Sequence, residues 1–415
     1  MTENMKFQDK KQTIRFARAL QGALALLLLF FTGIGDGYAA GGIDLSKIEP
    51  LAPVEFLPQE EFEEKTEVIE VVPFEDKALS FRVRLPKEWK LETTPPLKIP
   101  GGGLSDQVVG EVARYVSPSR FNLRSFFTLE ALELTYEIGA RDWLINYLFN
   151  NGATLNALTV KSSKEVQALY VIVDGDITYI VRIKAIVNGP RIMLARYVVP
   201  QNDYKAERTM QAQAIDSFEL TDMEEGGAEE WLTYNFLDQS YFDYPASWTL
   251  KGGTVKSIEN MQALLFTGKK NIEGKQKDQK PDGQIKVYVI SKLLGTSLAR
   301  EVQAYRQKIN IDRYHLGARM EEVKFNYDES MDFGVSEIYE MVPTPITMMP
   351  YELVVSVMEG EEYYYIVSML TPARKMEFYI WARNMEAFRV IVESMRRFND
   401  REGEDDEGIQ YFDEE

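Results

Sequence analysis

The sequence predicts an α+β protein of two tandem modules, each an α/β/α sandwich in which helices cover a mainly antiparallel sheet. Three observations predict this architecture: the size and composition of the chain, an internal repeat of a short proline-tryptophan motif, and the same order of strand and helix patterns after each copy. The chain has 415 residues, which exceeds one compact domain, and its content of 45% hydrophobic and 12% aromatic residues is enough for two cores.

The repeated motif gives the position of each module. Pro86-x-x-Trp89 recurs as Pro245-x-x-Trp248, and a short alternating stretch of residues precedes each copy. Such a stretch that ends at a proline predicts a strand followed by a turn. We expect both tryptophans to fold back onto the sheet and to close one end of the core, so these four residues are predicted structural positions.

Helix and strand patterns follow each motif in the same order. Apolar residues at steps of mostly three or four predict a helix over 129–148 in the first repeat and over 298–309 in the second. Apolar runs separated by turn residues then predict a strand meander in each repeat, at 169–173, 177–187 and 192–199 in the first and at 351–358, 363–370 and 376–381 in the second. The pairs Asp174-Gly175 and Asn188-Gly189 suit the positive φ angles of tight hairpins. Each repeat closes with a helix, and Ser217 and Ser394 occupy matching positions near its end.

Composition places the boundaries between these parts. Prolines and acids favour an extended segment before the first motif, and a lysine-rich insertion makes the second repeat longer than the first. The predicted parts are a signal peptide at 1–39, an acidic proline-containing tether at 40–73, the first module at 74–222, a hinge at 223–231, the second module at 232–399 with a mobile loop at 268–284, and an acidic disordered tail at 400–415.

The first residues have the order of a signal peptide. A basic stretch to Arg18 precedes an apolar run over 19–31, and Gly37 and Ala39 supply the small residues that signal peptidase accepts before a cleavage at Ala40. The chain contains no cysteine, which excludes disulfides and lipoprotein anchoring and favours a bacterial periplasm. The alternative is an uncleaved leader that anchors the protein in the inner membrane, facing the periplasm.

The charge of the chain indicates which partners it favours. Its net charge is −18, and without residues 1–39 it carries 42 basic and 62 acidic residues, a net charge of −20. Such a surface repels phosphate backbones and anionic lipids and favours partners with basic surfaces. Nucleic acid is therefore not an expected partner.

No residue pattern indicates catalysis, a cofactor or a metal. His315 is the only histidine, and no Gly-x-Ser-x-Gly motif accompanies it. Asp174-Gly175-Asp176 lacks the further oxygen donors of a calcium loop, and no Lys-Ser or Lys-Thr follows Gly101-Gly102-Gly103 to bind phosphate. The methionines over 341–395 lie in predicted strands and a helix, which indicates core packing. We expect no catalytic, cofactor-binding or metal-binding residue.

The strand, the Pro-x-x-Trp turn, the antiparallel sheet and the closing helix together resemble the PsbP-like superfamily, over about 75–222 and again over 232–400. That family includes oxygen-evolving-enhancer proteins of photosynthetic membranes, a Ran-binding nuclear import factor and bacterial envelope proteins. The resemblance implies an α/β/α sandwich that docks onto other proteins and does not catalyse a reaction. No functional residue of the photosynthetic members has a match in this sequence.

Three functions remain open from the sequence. The first is a non-catalytic periplasmic scaffold or adaptor that binds proteins, as an accessory component of an envelope complex such as a secretion system. The second is a periplasmic carrier of an apolar or lipid ligand, and the third is an enzyme without a recognisable motif. An unfilled apolar cavity would favour the carrier, whereas a flat exposed aromatic patch with no cavity would favour the scaffold.

Overall fold

The computed structural model describes residues 48–92, 99–100, 108–119, 123–224, 226–251, 259–267, 282–309, 314–344 and 349–397. Several predictions fall outside these residues: the signal peptide with Gly37, Ala39 and Ala40, most of the loop 268–284, and the tail 400–415. All the described residues belong to one compact unit.

The first module contains three helices and eleven strands in its described part. In chain order they are α1 (Gln59–Lys65), β1 (Thr66–Val71), β2 (Phe81–Pro86), β3 (Lys90–Leu91), β4 (Ile99–Pro100), β5 (Val108–Val116), β6 (Phe126–Glu133), α2 (Ala140–Asn150), β7 (Thr154–Val160), β8 (Glu165–Asp174), β9 (Ile177–Asn188), β10 (Arg191–Pro200), α3 (Tyr204–Asp216) and β11 (Glu219–Leu220).

The second module contains two helices and ten strands within the residues described. In chain order they are β12 (Trp231–Asn235), β13 (Ser240–Pro245), β14 (Thr249–Lys251), β15 (Asn260–Thr267), β16 (Gly283–Ser291), α4 (Leu298–Lys308), β17 (Tyr314–Val323), β18 (Met331–Pro343), β19 (Tyr351–Gly360), β20 (Tyr363–Pro372), α5 (Phe378–Glu393) and β21 (Arg396–Arg397).

The two modules have the same sheet topology, which confirms the predicted α+β fold with two sheet modules. The large sheets have the strand orders β3-β5-β6-β10-β9-β8-β7, with β4 beside β5, and β14-β15-β16-β20-β19-β18-β17. A small three-stranded sheet accompanies each, in the orders β1-β2-β11 and β12-β13-β21. Neighbouring strands of these sheets run antiparallel.

Helices cover both faces of each large sheet, and the inner faces share one core. Helix α2 contributes Trp143 and Leu144 to the same hydrophobic cluster as Phe388 and Ile391 of α5. Helix α3 packs with a separate cluster on the outer face of the first sheet, and α4 packs with another on the outer face of the second. The order of layers is therefore α3, first sheet, α2 with α5, second sheet, α4.

The inner and outer helices differ in how much of their surface is apolar. In α2, six of eleven residues are buried, because α2 packs on its own sheet and on α5. In α4 no residue is buried, and Arg300, Gln303 and Lys308 are among its exposed residues. Helix α3 exposes Lys205 and Arg208 in the same way. The outer helices thus present polar faces to solvent.

The proline-tryptophan motif forms the same turn in both modules. The backbone N–H of Trp89 donates to the carbonyl of Pro86 at 2.9 Å, and the N–H of Trp248 donates to the carbonyl of Pro245 at the same distance. Both indole side chains are buried, with 8% of Trp89 and 2% of Trp248 exposed.

The two serines at the closing helices also have matching contacts. The hydroxyl Oγ of Ser217 accepts a hydrogen bond from the backbone N–H of Arg84 at 3.0 Å, and Oγ of Ser394 accepts one from Asp243 at 2.8 Å. Arg84 and Asp243 each lie two residues before the proline of their motif. Each serine therefore ties its helix to the strand that carries the motif.

The segment predicted as an extended tether, 40–73, is folded onto the first module from residue 48 onwards. Residues 59–71 form α1 and β1, since Phe62 turns inward with 3% of its surface exposed and β1 pairs with β2. Of its four prolines, Pro50, Pro53 and Pro58 precede α1 and Pro73 follows β1, so none interrupts α1 or β1.

Two other element predictions are wrong, for one physical reason. Of the predicted helix 129–148, residues up to Glu133 belong to β6 and the helix begins at Ala140; the predicted strand 376–381 lies mostly in α5. Spacing alone does not separate a helix from a buried strand: Leu129 and Leu132 of β6 lie three positions apart like a helix stripe, and the short apolar run over 378–381 at the start of α5 looks like a buried strand.

The predicted meander of the second module is also out of step with that of the first. The prediction matches 351–358 to 169–173, in β8, because it contains no strand at the position of β18. In the structure β18 precedes 351–358, which lies in β19 and is the equivalent of β9. At the end of the predicted loop 268–284, Gly283 and Gln284 already belong to β16. The two hairpin turns of the first module are confirmed, with φ angles of 58° at Gly175 and 56° at Gly189.

Candidate binding cleft between the two modules

A cleft of about 630 Å³ lies where the end of β17 faces α2 and α5. We call it the β17 cleft. Its floor is apolar and includes Phe325, Trp381 and Met385, while its walls carry charged side chains from both modules. Residues 320–325 line it consecutively, so the end of an edge strand forms one whole wall.

A buried ion pair anchors this wall to the second sheet. The guanidinium Nε of Arg374 donates to the two carboxylate oxygens of Glu352 at 3.1 and 3.0 Å, and Trp381 Nε1 donates to Glu352 Oε2 at 2.9 Å. Arg374 also pairs with Glu321 of β17, and its guanidinium lies 4.4 Å from the centre of the Trp381 ring. Burial lowers the pKa of Arg374, but the hydrogen bond and charge of Glu352 outweigh burial, so the pKa is raised above its ordinary value. Only 2% of Glu352 is exposed, so this pair fixes the position of β17.

Helices α2 and α5 add a second charged group. Arg389 pairs with Glu386 and Glu393 along α5, and Asp142 of α2 lies near Glu386. Burial raises the pKa of Asp142, and the charge of Arg141 opposes this. Among the described residues, oxygen Oδ1 of Asp142 accepts no hydrogen bond, and Arg141 Nε lies 3.6 Å from it.

Cations on the rim of the cleft are not fully paired. Lys324 and Lys375 make no ion pair with any residue that the structure describes, and Arg141 has only the distant contact with Asp142. These three side chains are available to a carboxylate from a bound molecule. The rest of the positive charge, on Arg374 and Arg389, is already paired.

The outer edge of β17 is open over the described part of the chain. Strand β17 pairs only with β18, and Ala318 to Glu322 are exposed or nearly so. The matching edge of the first module is covered by the protein's own N-terminal segment. There Glu49 pairs in parallel with Ala157 of β7, and the N–H of Leu158 donates to the carbonyl of Glu49 at 2.8 Å.

The strand register shows which part of β17 matches the covered part of β7. In the first sheet a row of successive partners crosses β7, β8, β9 and β10: Leu158, Ala168, Ile183 and Arg196. In the second sheet the corresponding row crosses β17, β18, β19 and β20: Glu322, Glu337, Val355 and Ser368. In both modules the last two residues of the row are 13 positions apart across one hairpin, so the rows are equivalent. Glu322 therefore occupies the place of Leu158, within the stretch that lines the β17 cleft.

A second cleft, of about 560 Å³, shares Glu386 and Arg389 with the β17 cleft and lies beside the predicted hinge 223–231. Trp231 Nε1 donates to Glu137 Oε1 at 2.9 Å, while the carboxylate of Glu229 accepts from the N–H of Glu137 at 3.2 Å and of Ser247 at 2.8 Å. Burial raises the pKa of Glu137, and the hydrogen bond from Trp231 opposes this. The hinge thus bridges the two modules through side-chain contacts.

The chemical residues singled out in the sequence do not come together. His315 is exposed and its Nε2 lies 2.7 Å from Thr344 Oγ1, and Asp174 and Asp176 flank an exposed hairpin tip. In the described residues, no group of three or more His, Asp or Glu side chains could hold a metal ion. The methionines Met341, Met358, Met369 and Met395 are buried in the cores, and Gly101-Gly102-Gly103 lies outside the described residues.

Two further observations bear on the type of ligand. Between α4 and its sheet the enclosed apolar space measures only about 20 Å³, enough for little more than one water molecule. No helix in the described ranges is long and apolar enough to cross a bilayer.

Sequence reasoning missed the β17 cleft because its residues are far apart along the chain. One signal was present: Glu352 is a lone acid within the apolar run 351–358. An acid at a buried strand position requires a partner, and here the partners are Arg374 and Trp381.

Comparison with known proteins gives similarity at the level of the fold. No protein-family model matches the chain, and no curated protein sequence matches it. Among solved structures it is similar to cyanobacterial PsbP from Synechocystis sp. PCC 6803, with 10% identity and a TM-score of 0.28 over 37% of this chain and 92% of that one. It is also similar to the Saccharomyces cerevisiae Ran-binding protein Mog1p, with 11% identity and a TM-score of 0.25 over 38% of this chain and 97% of that one. A third similar structure is the T6SS immunity protein TplEi of Pseudomonas aeruginosa, with 9% identity and a TM-score of 0.20 over 80% of this chain and 98% of that one. The similarity to the PsbP-like fold is weak.

Proposed function

We propose that this chain is a non-catalytic, exported scaffold or adaptor that binds a partner protein by strand addition at the open edge of β17. It would serve as an accessory component of an envelope complex such as a secretion system. One observation carries the proposal: within the described residues β17 is open beside a cleft of about 630 Å³, whereas the equivalent edge of β7 is covered by residues of the same chain.

An open edge strand offers a row of backbone donors and acceptors to an extended segment. The edge of β17 is also protected against unspecific pairing, because its register shifts between Leu316 and Arg319 and again between Arg319 and Glu321. A partner must fit both this irregular edge and the cleft beside it, which would give selectivity. The carrier alternative has less support, since the space between α4 and its sheet is nearly filled.

The experiment compares two positions of equal exposure in the full-length protein. A photo-crosslinking amino acid replaces Met320 in β17, which is 44% exposed, or Val160 in β7, which is 47% exposed. Illumination in the native cell should give a specific adduct with one protein from Met320 and none from Val160. The same adducts from both positions, or none from Met320, would contradict binding at the β17 edge.

Export is part of the proposal and is tested separately. The predicted leader would direct the chain to the periplasm, where cleavage after Ala39 leaves Ala40 as the first residue, or after Ala40 leaves Gly41. N-terminal sequencing of the protein from the periplasmic fraction should give one of these two residues. An intact leader in the membrane fraction would instead support the inner-membrane anchor. The acidic mature chain would meet partners with basic surfaces faster at low salt.

A further inference from the structure

We propose that the chain's own C-terminal segment, residues 398–415, docks at the β17 cleft in the free protein and must leave before a partner strand can bind. This inference rests on the proposed function, because it assigns an occupant to the same edge. Four observations carry it: where the described chain ends, how far the remaining residues reach, their chemistry, and the example of the first module.

The described chain ends beside the connection that follows β17. Arg396 Nε lies 3.1 Å from Asp328 Oδ2, and the N–H of Asn326 donates to Glu393 Oε1 at 3.0 Å. Asp328 and Asn326 are only three to five residues beyond Val323, the last residue of β17. The C-terminal segment therefore starts next to the end of β17.

The remaining residues are long enough to reach the edge. Eleven residues separate Arg397 from Ile409, and an extended chain spans at most about 3.3–3.6 Å per residue, so Ile409 can lie up to roughly 40 Å from Arg397. Strand β17 has ten residues, which is about 33 Å. Residues 409–412 can therefore reach the C-terminal part of β17, which lines the cleft.

The C-terminal segment has the chemistry that the cleft offers to a ligand. Residues 400–415 contain nine acids and one arginine, and the acids flank the apolar stretch Ile409-Gln410-Tyr411-Phe412. The cleft has an apolar floor and three incompletely paired cations, Arg141, Lys324 and Lys375. Aromatic side chains can cover the floor while the flanking carboxylates meet the cations.

The first module gives an example of the same arrangement. Residues 48–51, Ile-Glu-Pro-Leu, come from outside the repeat and lie along β7, with Ile48 packed against the core and the N–H of Leu51 donating to Thr159 Oγ1 at 3.1 Å. The chain thus already covers one sheet edge with a short segment that holds an acid between two apolar residues. The second edge would be covered by the other end of the chain.

The absence of cysteine makes a direct test possible. Full-length protein with Met320→Cys and Tyr411→Cys should form an intramolecular disulfide under mild oxidation, seen as a monomer band that migrates faster without reductant. The matched control, Val160→Cys with Tyr411→Cys, places the partner thiol on the covered edge of the first module. We expect the first pair to close at least tenfold faster. Equal rates, or disulfide-linked dimers only, would overturn the inference.

A second measurement does not depend on introduced thiols. A fluorescent synthetic peptide of residues 403–415 should bind the full-length variant Tyr411→Ser/Phe412→Ser at least tenfold more tightly than it binds the wild-type chain, whose own segment competes. A peptide of the same composition in scrambled order is the control. Equal binding of the peptide to both proteins, or equal binding of the scrambled peptide, would overturn the inference.

These outcomes separate the inference from the proposed function. If Met320 crosslinks a partner in the cell but neither the disulfide nor the peptide result is obtained, the edge binds a partner and the C-terminal segment is not its occupant. If Met320 gives no adduct, the proposed function itself is contradicted.

Discussion

Replacement of Trp248 by alanine tests whether the two modules unfold together. Trp248 lies in the hydrophobic cluster that both modules share, whereas Trp89, its counterpart, lies in the separate cluster of the first module. Because the shared cluster joins α2 to α5, we expect the described fold to unfold as one cooperative unit. Trp248→Ala and Trp89→Ala should then shift the same transition.

The size of each effect follows from burial. A buried tryptophan removes about 150–250 Å² from water, which at ~25 cal/mol per Å² is about 4–6 kcal/mol, and the usual cost of its replacement by alanine is about 3–5 kcal/mol. The indole N–H of Trp248 is buried without a hydrogen-bond partner, and removing it recovers about 1–3 kcal/mol. We therefore expect a loss of about 4 kcal/mol for Trp89→Ala and about 2 kcal/mol for Trp248→Ala.

Equilibrium unfolding in urea, followed by far-ultraviolet circular dichroism and by tryptophan fluorescence, measures both quantities. The expected result is one transition that both probes report at the same urea concentration, with a lower midpoint in each variant. Two separate transitions, of which Trp89→Ala lowers one and Trp248→Ala the other, would refute the shared core as a source of cooperativity. The modules would then be independent domains.

Three further predictions concern individual contacts. Ser217→Ala and Ser394→Ala should each lower the free energy of unfolding by about 1–3 kcal/mol, because each leaves a strand N–H without its acceptor; unequal effects in urea unfolding would contradict their equivalence. Burial raises the pKa of Glu137 above 4.5, so the native state holds its proton more tightly and loses stability as pH rises from about 4.5. Glu137→Gln removes this loss. The free energy of unfolding of the variant, minus that of the wild type, should therefore be larger at pH 7 than at pH 4. An equal difference at both pH values would contradict the raised pKa. Gly283→Ala should cost about 1–3 kcal/mol, because the added Cβ would lie 2.7 Å from the Trp248 ring and from the side-chain amide of Asn384. Gly110→Ala is the control: its nearest atom is at 3.8 Å, so the melting temperature should stay nearly unchanged.

The sequence predicted the fold to the extent that local patterns determine it. The repeated Pro-x-x-Trp motif, the hairpin glycines Gly175 and Gly189 and the helix over 298–309 depend on residues that are close in the chain, and each has the expected structure. Spacing failed at 129–133, because β6 is buried on both faces there and its Leu129 and Leu132, three positions apart, imitate a helix stripe.

The candidate site could not be predicted in the same way. Its ion pairs join Arg374, in the turn between β20 and α5, to Glu321 of β17 and Glu352 of β19, which lie far from one another along the chain. The cleft also needs α2 of the first module, and the sequence alone does not indicate which faces of two modules will meet. The open edge of β17 became apparent only by comparison with β7, which the same chain covers.

The polar faces of α3 and α4 limit how far the architecture can grow. The contact between the modules joins two different faces, the α2 face of one and the α5 face of the other, and a contact of this head-to-tail kind can in principle repeat without end. Each of these two faces has an equivalent on the outside of the other module, because α4 is the equivalent of α2 and α3 is the equivalent of α5. A third copy could stack at either end only against lysines and arginines that are well solvated. The duplicated unit therefore behaves as a repeat array whose first and last members are also its end caps, and gene duplication alone would not extend it into a longer array or a fibre.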